Sequence, residues 1–233
     1  MNKIRIDMLN QIYRKDRGRK IMSKYDFKVL NPLKVSTVVL ITYTAMIGFI
    51  HGVGEILQTG NQATSNLIYA LDVADPAKVW HGGLPAFTLI PDFLISGIIT
   101  LLISIAIIVF ANLLIESKHF IFFPLVFILL FLFGGGFVPP FIGIISSVYY
   151  AIQKRSSMNT KQPTLLRKLF AKLWIYLISV LIFWFPSSWI IGWIFHEFRL
   201  QISSATFIMF DIFLPILILT TANTKYTIAT NTI

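Results

Sequence analysis

The chain contains no cysteine among its 233 residues, so disulfide bonds, thiolate metal sites and cysteine nucleophiles are excluded. Charged residues are also scarce, at 13% of the chain, whereas a soluble domain has about a quarter. Walker, Rossmann, GxSxG and HExxH patterns are absent as well. In contrast, hydrophobic residues reach 56% and the mean hydropathy is +0.75. This composition indicates a multi-spanning membrane protein.

The charge that is present is mostly positive and lies at one end. The net charge is +10, and residues 1–34 hold ten Lys/Arg and three Asp. In a soluble protein such a balance would suggest nucleic acid. Beside long apolar runs, it indicates basic residues that orient the chain in the bilayer and contact anionic lipid head groups. We therefore predict the lipid bilayer as partner and no nucleic acid, and the sequence identifies no protein partner.

Residues 120–152 decide the number of membrane crossings, because two apolar runs flank a GGGFVPP segment there. A single helix would be about 50 Å long, too long for a hydrocarbon core of about 30 Å. Gly134–Gly136 and Pro139–Pro140 would also lie in mid-helix. A hairpin of two short spans, 120–133 and 141–152, places 18 of the 20 Lys/Arg inside, whereas a single crossing places 12 inside. The positive-inside rule favours the hairpin.

The predicted fold is therefore all-α, with six transmembrane helices and both termini in the cytoplasm of a bacterial cell. The predicted regions are a basic arm (1–34), a transmembrane domain (35–222) and a polar, frayed tail (223–233). The domain includes an outer loop (54–90) and a basic inner loop (153–168). Residues 66–73 are predicted to form a short interfacial helix, and Pro186 is predicted to kink the fifth span.

Candidate site residues cluster on the outer side of this topology. His51 and Glu55 are four residues apart, so they share one face of the first span. An HxxxE pair can ligate a metal or join a base to an acid, with His81 or Asp92 folded over it. The alternative is a hydrogen-bonded pair that ties the loop to the helix. No cofactor is evident, and a metal stays an open alternative.

Two further features lie inside the predicted bundle. Asp211 lies within the sixth apolar span, where a carboxylate either marks a pathway or hydrogen-bonds to Ser or Thr on a neighbouring helix. The Gly134, Gly135, Gly136, Pro139 and Pro140 segment is either a re-entrant turn that lines a cavity or a tight turn between two short helices. We favour the tight turn.

Three segments together carry a resemblance: HGVGEILQTGN (51–61), IPDFLISGI (90–98) and GGGFVPPFIGII (134–145). In order and spacing they resemble a family of uncharacterised bacterial and archaeal integral membrane proteins with HGxGExxQxGN and GGGFGPP segments. This chain departs from the family pattern at Asp92, Phe93 and Val138. The resemblance implies signature positions, and it implies no activity: these positions are His51, Glu55, Gln58, Pro91, Gly134–Gly136 and Pro139–Pro140.

We therefore predict a membrane protein that binds or passes a small ligand, ion or lipid at an outward-facing pocket. The residues predicted to build it are His51, Glu55, Gln58, His81, Asp92 and, in the interior, Asp211. A membrane-embedded enzyme that uses the same residues, with or without a metal, and a non-catalytic scaffold or regulatory subunit are the alternatives.

Overall fold

The computed structural model describes residues 31–60, 63, 65–69, 85–155, 164–195 and 203–230, and these segments are predominantly helical. A short 3-10 helix (Lys118–Phe122) precedes α3, and a π-helix (Phe207–Phe213) joins α6 to α7. The α-helices are α1 (Pro32–Ile56), α2 (Phe93–Leu114), α3 (Phe123–Leu132), α4 (Val138–Arg155), α5 (Leu165–Ile194), α6 (Ser203–Thr206) and α7 (Leu214–Thr230). The strands are β1 (Leu67–Tyr69) and β2 (Pro85–Phe87).

Four helical segments in the described residues are long and apolar enough to cross a membrane: Pro32–Ile56, Phe93–Leu114, Leu165–Gly192 and Ile208–Ala229. These segments match the first, second, fifth and sixth predicted spans. The third and fourth predicted spans correspond to α3 and α4, which are shorter. The sequence predicts a break in the helix after residue 133. In the structure α3 ends at Leu132 and α4 begins at Val138.

Helix α1 is the centre of the bundle and packs against α2, α4 and α7. Half of the residues in the most apolar part of α1 are buried within the protein, compared with 17–33% of those in the other three long helical segments. One core cluster joins α1 to α2, α3 and α4 through residues such as Ile41, Ile107 and Phe127. A second joins α1 to α5 and α7 through residues such as Leu40, Leu181 and Ile218. Since α1 belongs to both clusters, its polar residues lie in the interior.

Small residues let α1 and α2 approach closely. A Cβ atom at Gly52 would lie 2.8 Å from the carbonyl oxygen of Gly97, and a Cβ atom at Gly97 would lie 2.7 Å from that of Gly52. One turn earlier, a Cβ atom at Gly48 would lie 2.8 Å from Ser104 Oγ. Such backbone contact is the packing that small residues permit between apolar helices, and it fixes which face of α2 meets α1.

The interfacial helix predicted over 66–73 is wrong for its described part. Residues Leu67–Tyr69 form a strand that pairs antiparallel with Pro85–Phe87. Alternation explains this choice, because Ile68 is buried and its two neighbours are exposed, which is the period of a strand. Asn66 closes the ladder: its carbonyl accepts from Thr88 N at 2.8 Å, and its side-chain amide donates to Thr88 O at 2.8 Å.

The C-terminal part differs from the prediction at its end. Helix α5 contains Pro186 and runs to Ile194, and the predicted kink stays a prediction. Residues 223–230, predicted as part of a polar tail, extend α7. Threonines allow this extension, because Thr220 and Thr224 each donate a hydrogen bond to the carbonyl four residues earlier, which satisfies a hydroxyl within its own helix.

At the N-terminal end of α1, an exposed ion-pair network ties three helices together. The carboxylate of Glu116, just after α2, lies 2.9 Å from Lys34 Nζ and 3.3 Å from Lys154 Nζ. The hydrogen bond from Lys34 is the main reason that the pKa of Glu116 lies below its ordinary value, and the bond from Lys154 adds to it. This network joins the start of α1, the end of α2 and the end of α4.

Candidate functional site

His51 and Glu55 lie one turn apart near the C-terminal end of α1, and both side chains are buried. The side chain of Glu55 has no exposed surface. An ionisable carboxyl group removed from water is costly unless it is protonated or compensated by charge or hydrogen bonds. His51 and Glu55 therefore lie on one helix face, as the sequence predicts, and the buried carboxyl group of Glu55 needs a proton, a positive charge or hydrogen bonds to offset the loss of water.

The glycine turn between α3 and α4 covers this pair. A Cβ atom at Gly134 would overlap Glu55 Oε1, and a Cβ atom at Gly136 would lie 2.9 Å from His51 Nε2. Both glycines also have positive φ angles, 104° and 83°, which other residues rarely adopt. Only glycine therefore meets the steric and the backbone requirement together, and the tight turn is also the roof of the His51–Glu55 site.

The wall of the site opposite α1 is a row of hydroxyl groups on α2. Ser96, Thr100 and Ser104 follow each other at intervals of four residues, and all three are fully buried. Ser96 Oγ lies 2.8 Å from Phe133 O and 2.9 Å from Thr88 Oγ1. Thr100 Oγ1 also donates to Phe133 O. These bonds hold Phe133, which follows α3 and directly precedes the glycine turn, against α2.

The Glu55 carboxylate is the group in this site that the described contacts do not compensate. Neither of its oxygens makes a hydrogen bond to any residue that the structure describes. The Ser96 hydroxyl lies beside it, but its single proton is directed to Phe133 O or Thr88 Oγ1. A buried carboxylate without a donor is open to a proton or a positively charged ligand.

Gln58 and Asp92 have structural roles at the rim. Gln58 Nε2 donates to Gly54 O at 3.0 Å and to Tyr69 O at 2.9 Å, which ties the end of α1 to β1. Asp92 is exposed and caps α2 by accepting a hydrogen bond from Ile95 N at 2.8 Å. The structure thus brings Gln58 next to the site and leaves Asp92 outside it. His81 lies outside the described residues.

Asp211 lies apart from this site, in the π-helix. Tyr43 donates a hydrogen bond of 2.6 Å from its hydroxyl to Asp211 Oδ1. A tyrosine on α1 is thus a partner of Asp211, and a serine or threonine partner stays a prediction. Asp211 also lines a cleft of about 180 Å³ between α4 and the last helix, together with Ser146 and mostly apolar residues.

Within the described segments, no group of three or more His, Cys, Asp and Glu side chains has the geometry to hold a metal ion. The residues that sequence reasoning missed are Thr88, Ser96 and Thr100. The regular spacing of Ser96, Thr100 and Ser104 in an otherwise apolar span was the available signal, since hydroxyls at i, i+4 and i+8 share one helix face.

No protein-family model matches the chain, and no curated protein and no solved structure is significantly similar to it. The resemblance to a membrane-protein family therefore stays a prediction, and function has to be argued from the site itself.

Proposed function

We propose that the chain is a multi-pass integral membrane protein that binds a small ligand or ion at the buried His51–Glu55 site. In this proposal the chain crosses the cell membrane six times, both termini are cytoplasmic, and the site faces the extracytoplasmic side. The distribution of Lys and Arg supports this orientation.

The observation that carries the proposal is the uncompensated carboxylate of Glu55. It is fully buried, it has no hydrogen-bond partner in the described part of the chain, and Gly134 lies directly against it. Ionisable residues in apolar spans are costly and commonly mark sites of ligand or ion binding. A structural role alone would favour a satisfied carboxylate, such as Asp211 with its Tyr43 partner.

Sidedness is testable with single cysteines, because the chain has none of its own. A Ser156→Cys variant, in the basic loop, should stay unlabelled when intact cells are treated with a membrane-impermeant maleimide. A Ser65→Cys variant, in the predicted outer loop, should be labelled. The reverse pattern would overturn the orientation and the extracytoplasmic opening of the site.

Ligand binding is testable by thermal unfolding of the detergent-purified protein against a panel of small ions and polar solutes. A ligand present at 100 times its dissociation constant stabilises the folded state by about 2.7 kcal/mol. We expect at least one member of the panel, the proton included, to stabilise the wild type. Glu55→Gln should lose this response and Glu116→Gln, which alters an exposed carboxylate, should keep it. Identical profiles for wild type and Glu55→Gln would contradict the proposal and favour a scaffold.

A further inference from the structure

Oxygen atoms of three residues lie at or next to the Glu55 carboxylate. The Ser96 hydroxyl lies beside it, and Thr88 Oγ1 and Phe133 O lie within hydrogen-bond distance of that hydroxyl. The imidazole of His51 lies one turn earlier on α1. No Lys or Arg side chain forms an ion pair with Glu55 in the described part of the chain, where both ion pairs belong to Glu116.

The protons of these hydroxyls are already directed elsewhere. Ser96 and Thr100 both donate to Phe133 O, and Thr88 donates to Ile90 O at 3.0 Å. A hydroxyl that donates a hydrogen bond to a carbonyl still has oxygen lone pairs that can accept. The oxygen atoms of Ser96, Thr88 and Phe133 near Glu55 can therefore act as acceptors, which suits a cation beside the carboxylate.

We propose that the Glu55 site binds a monovalent metal cation, Na⁺ or K⁺, held by the carboxylate and by the Ser96 hydroxyl. This inference rests on the proposed function and specifies its ligand. Hard cations prefer carboxylate, hydroxyl and carbonyl oxygens, whereas transition metals prefer imidazole or thiolate ligands. His51 is the one imidazole that the described residues place in this site, and no group of three or more His, Cys, Asp and Glu side chains suited to a metal is found among them.

Charge balance selects the monovalent class. Glu55 is the one carboxylate that the described residues place in this buried site, and a single positive charge neutralises it. A divalent cation would leave a net positive charge buried, which is costly without a second acidic ligand. Two other acids in the described segments have partners of their own: Asp92 caps α2 and Asp211 accepts a hydrogen bond from Tyr43.

The glycine turn brings backbone atoms to the site. Gly134 and Gly136 bring main chain, rather than side chains, against Glu55 and His51. Backbone that approaches this closely can present carbonyl oxygens to an ion, as irregular segments do when they line a cavity in a membrane protein.

The test is thermal unfolding of the full-length protein in detergent, titrated with NaCl or KCl against choline chloride at constant ionic strength and constant pH. We expect the unfolding temperature of the wild type to rise with Na⁺ or K⁺ and not with choline. Glu116→Gln should respond like the wild type, Glu55→Gln should not respond, and Ser96→Ala should need about tenfold more cation. The Glu116→Gln control removes an exposed carboxylate, so it separates site binding from general screening.

Equilibrium dialysis with radioactive Na⁺ and, in parallel, a potassium analogue such as Rb⁺ keeps the proposal testable if Glu55→Gln does not fold. The wild type should bind stoichiometric cation, and Ser96→Ala should bind it more weakly. If the wild type binds neither cation but Glu116→Gln, which keeps Glu55, still takes up a proton on folding, as measured by the pH dependence of its unfolding temperature, the cation inference is overturned and the proposed site stands with the proton as ligand. If the wild type binds neither a cation nor a proton nor any other member of the solute panel, both fail.

Discussion

Replacing Gly134 by alanine tests the contact between the glycine turn and Glu55. The new methyl group would overlap Glu55 Oε1 and approach the carboxyl carbon to 2.8 Å. The carboxylate cannot simply swing into solvent, because the residue is fully buried and its Cβ lies close to Gly97. The main chain at Gly134 also has a φ angle of +104°, which strains an L-residue in addition to the steric overlap.

The expected cost has two parts. Adopting a positive φ angle costs an alanine about 1–2 kcal/mol. Turning the carboxylate out of its rotamer and repacking its surroundings costs a further 1–3 kcal/mol or so. Gly60 provides a matched control, since its φ angle is +102° and nothing lies within 4 Å of its Cβ position. Gly60→Ala should therefore show the first part alone.

The assay is thermal or chemical unfolding of the purified variants in one detergent, in the wild-type and Glu55→Ala backgrounds. Gly134→Ala should destabilise the wild type by about 1–3 kcal/mol more than Gly60→Ala does. In the Glu55→Ala background the two glycine variants should cost about the same, because the carboxylate that causes the overlap is gone. An equal cost of Gly134→Ala in both backgrounds would refute the contact.

Three further predictions concern other contacts. Gly97→Ala should destabilise by about 1–3 kcal/mol in the same unfolding assay, although alanine is the better helix former, because its Cβ atom would lie 2.7 Å from Gly52 O; a gain in stability would contradict the close packing. Tyr43→Phe should cost about 1.5–3 kcal/mol, since it removes the donor to Asp211, and a neutral effect would show that the bond contributes nothing. Glu116→Gln should cost under about 1 kcal/mol, as exposed ion pairs do. Because the hydrogen bond from Lys34 lowers the pKa of Glu116, its contribution is present above the ordinary carboxyl pKa and disappears as the pH falls through the lowered value, so wild type and variant should converge in acid and in high salt. A difference that grows with acidity would contradict this sign.

Helix positions could be predicted from the sequence because long apolar runs state them directly. The apolar run 35–53 lies within α1, and Asp92, at the start of the next apolar run, caps α2. The glycine segment also separates two helices as its composition indicates. These are local properties, set by hydropathy, capping and backbone conformation.

The contacts of the site could be predicted only in part. The i, i+4 spacing places His51 and Glu55 on one face, but nothing in the sequence says that Gly134 covers them from 79 positions away along the chain. The Tyr43 partner of Asp211 is 168 positions distant. Such pairs depend on how helices are arranged, which single-span patterns do not encode. The strand at Leu67–Tyr69 was missed because three residues are too few to show a period.

The π-helix at Phe207–Phe213 has a consequence for the register of the C-terminal part. Leu214 N donates a hydrogen bond to Met209 O, five residues back instead of four. The segment therefore holds one more residue in its hydrogen-bonded turn than a regular α-helix does. One residue corresponds to about 100° of rotation around a helix axis. Asp211 and the residues before it therefore point in directions that a regular helix would not give them. Deleting one residue from this segment would rotate the residues before the deletion by that angle relative to α7. The hydrogen bond between Tyr43 and Asp211 would then be lost although neither side chain had changed.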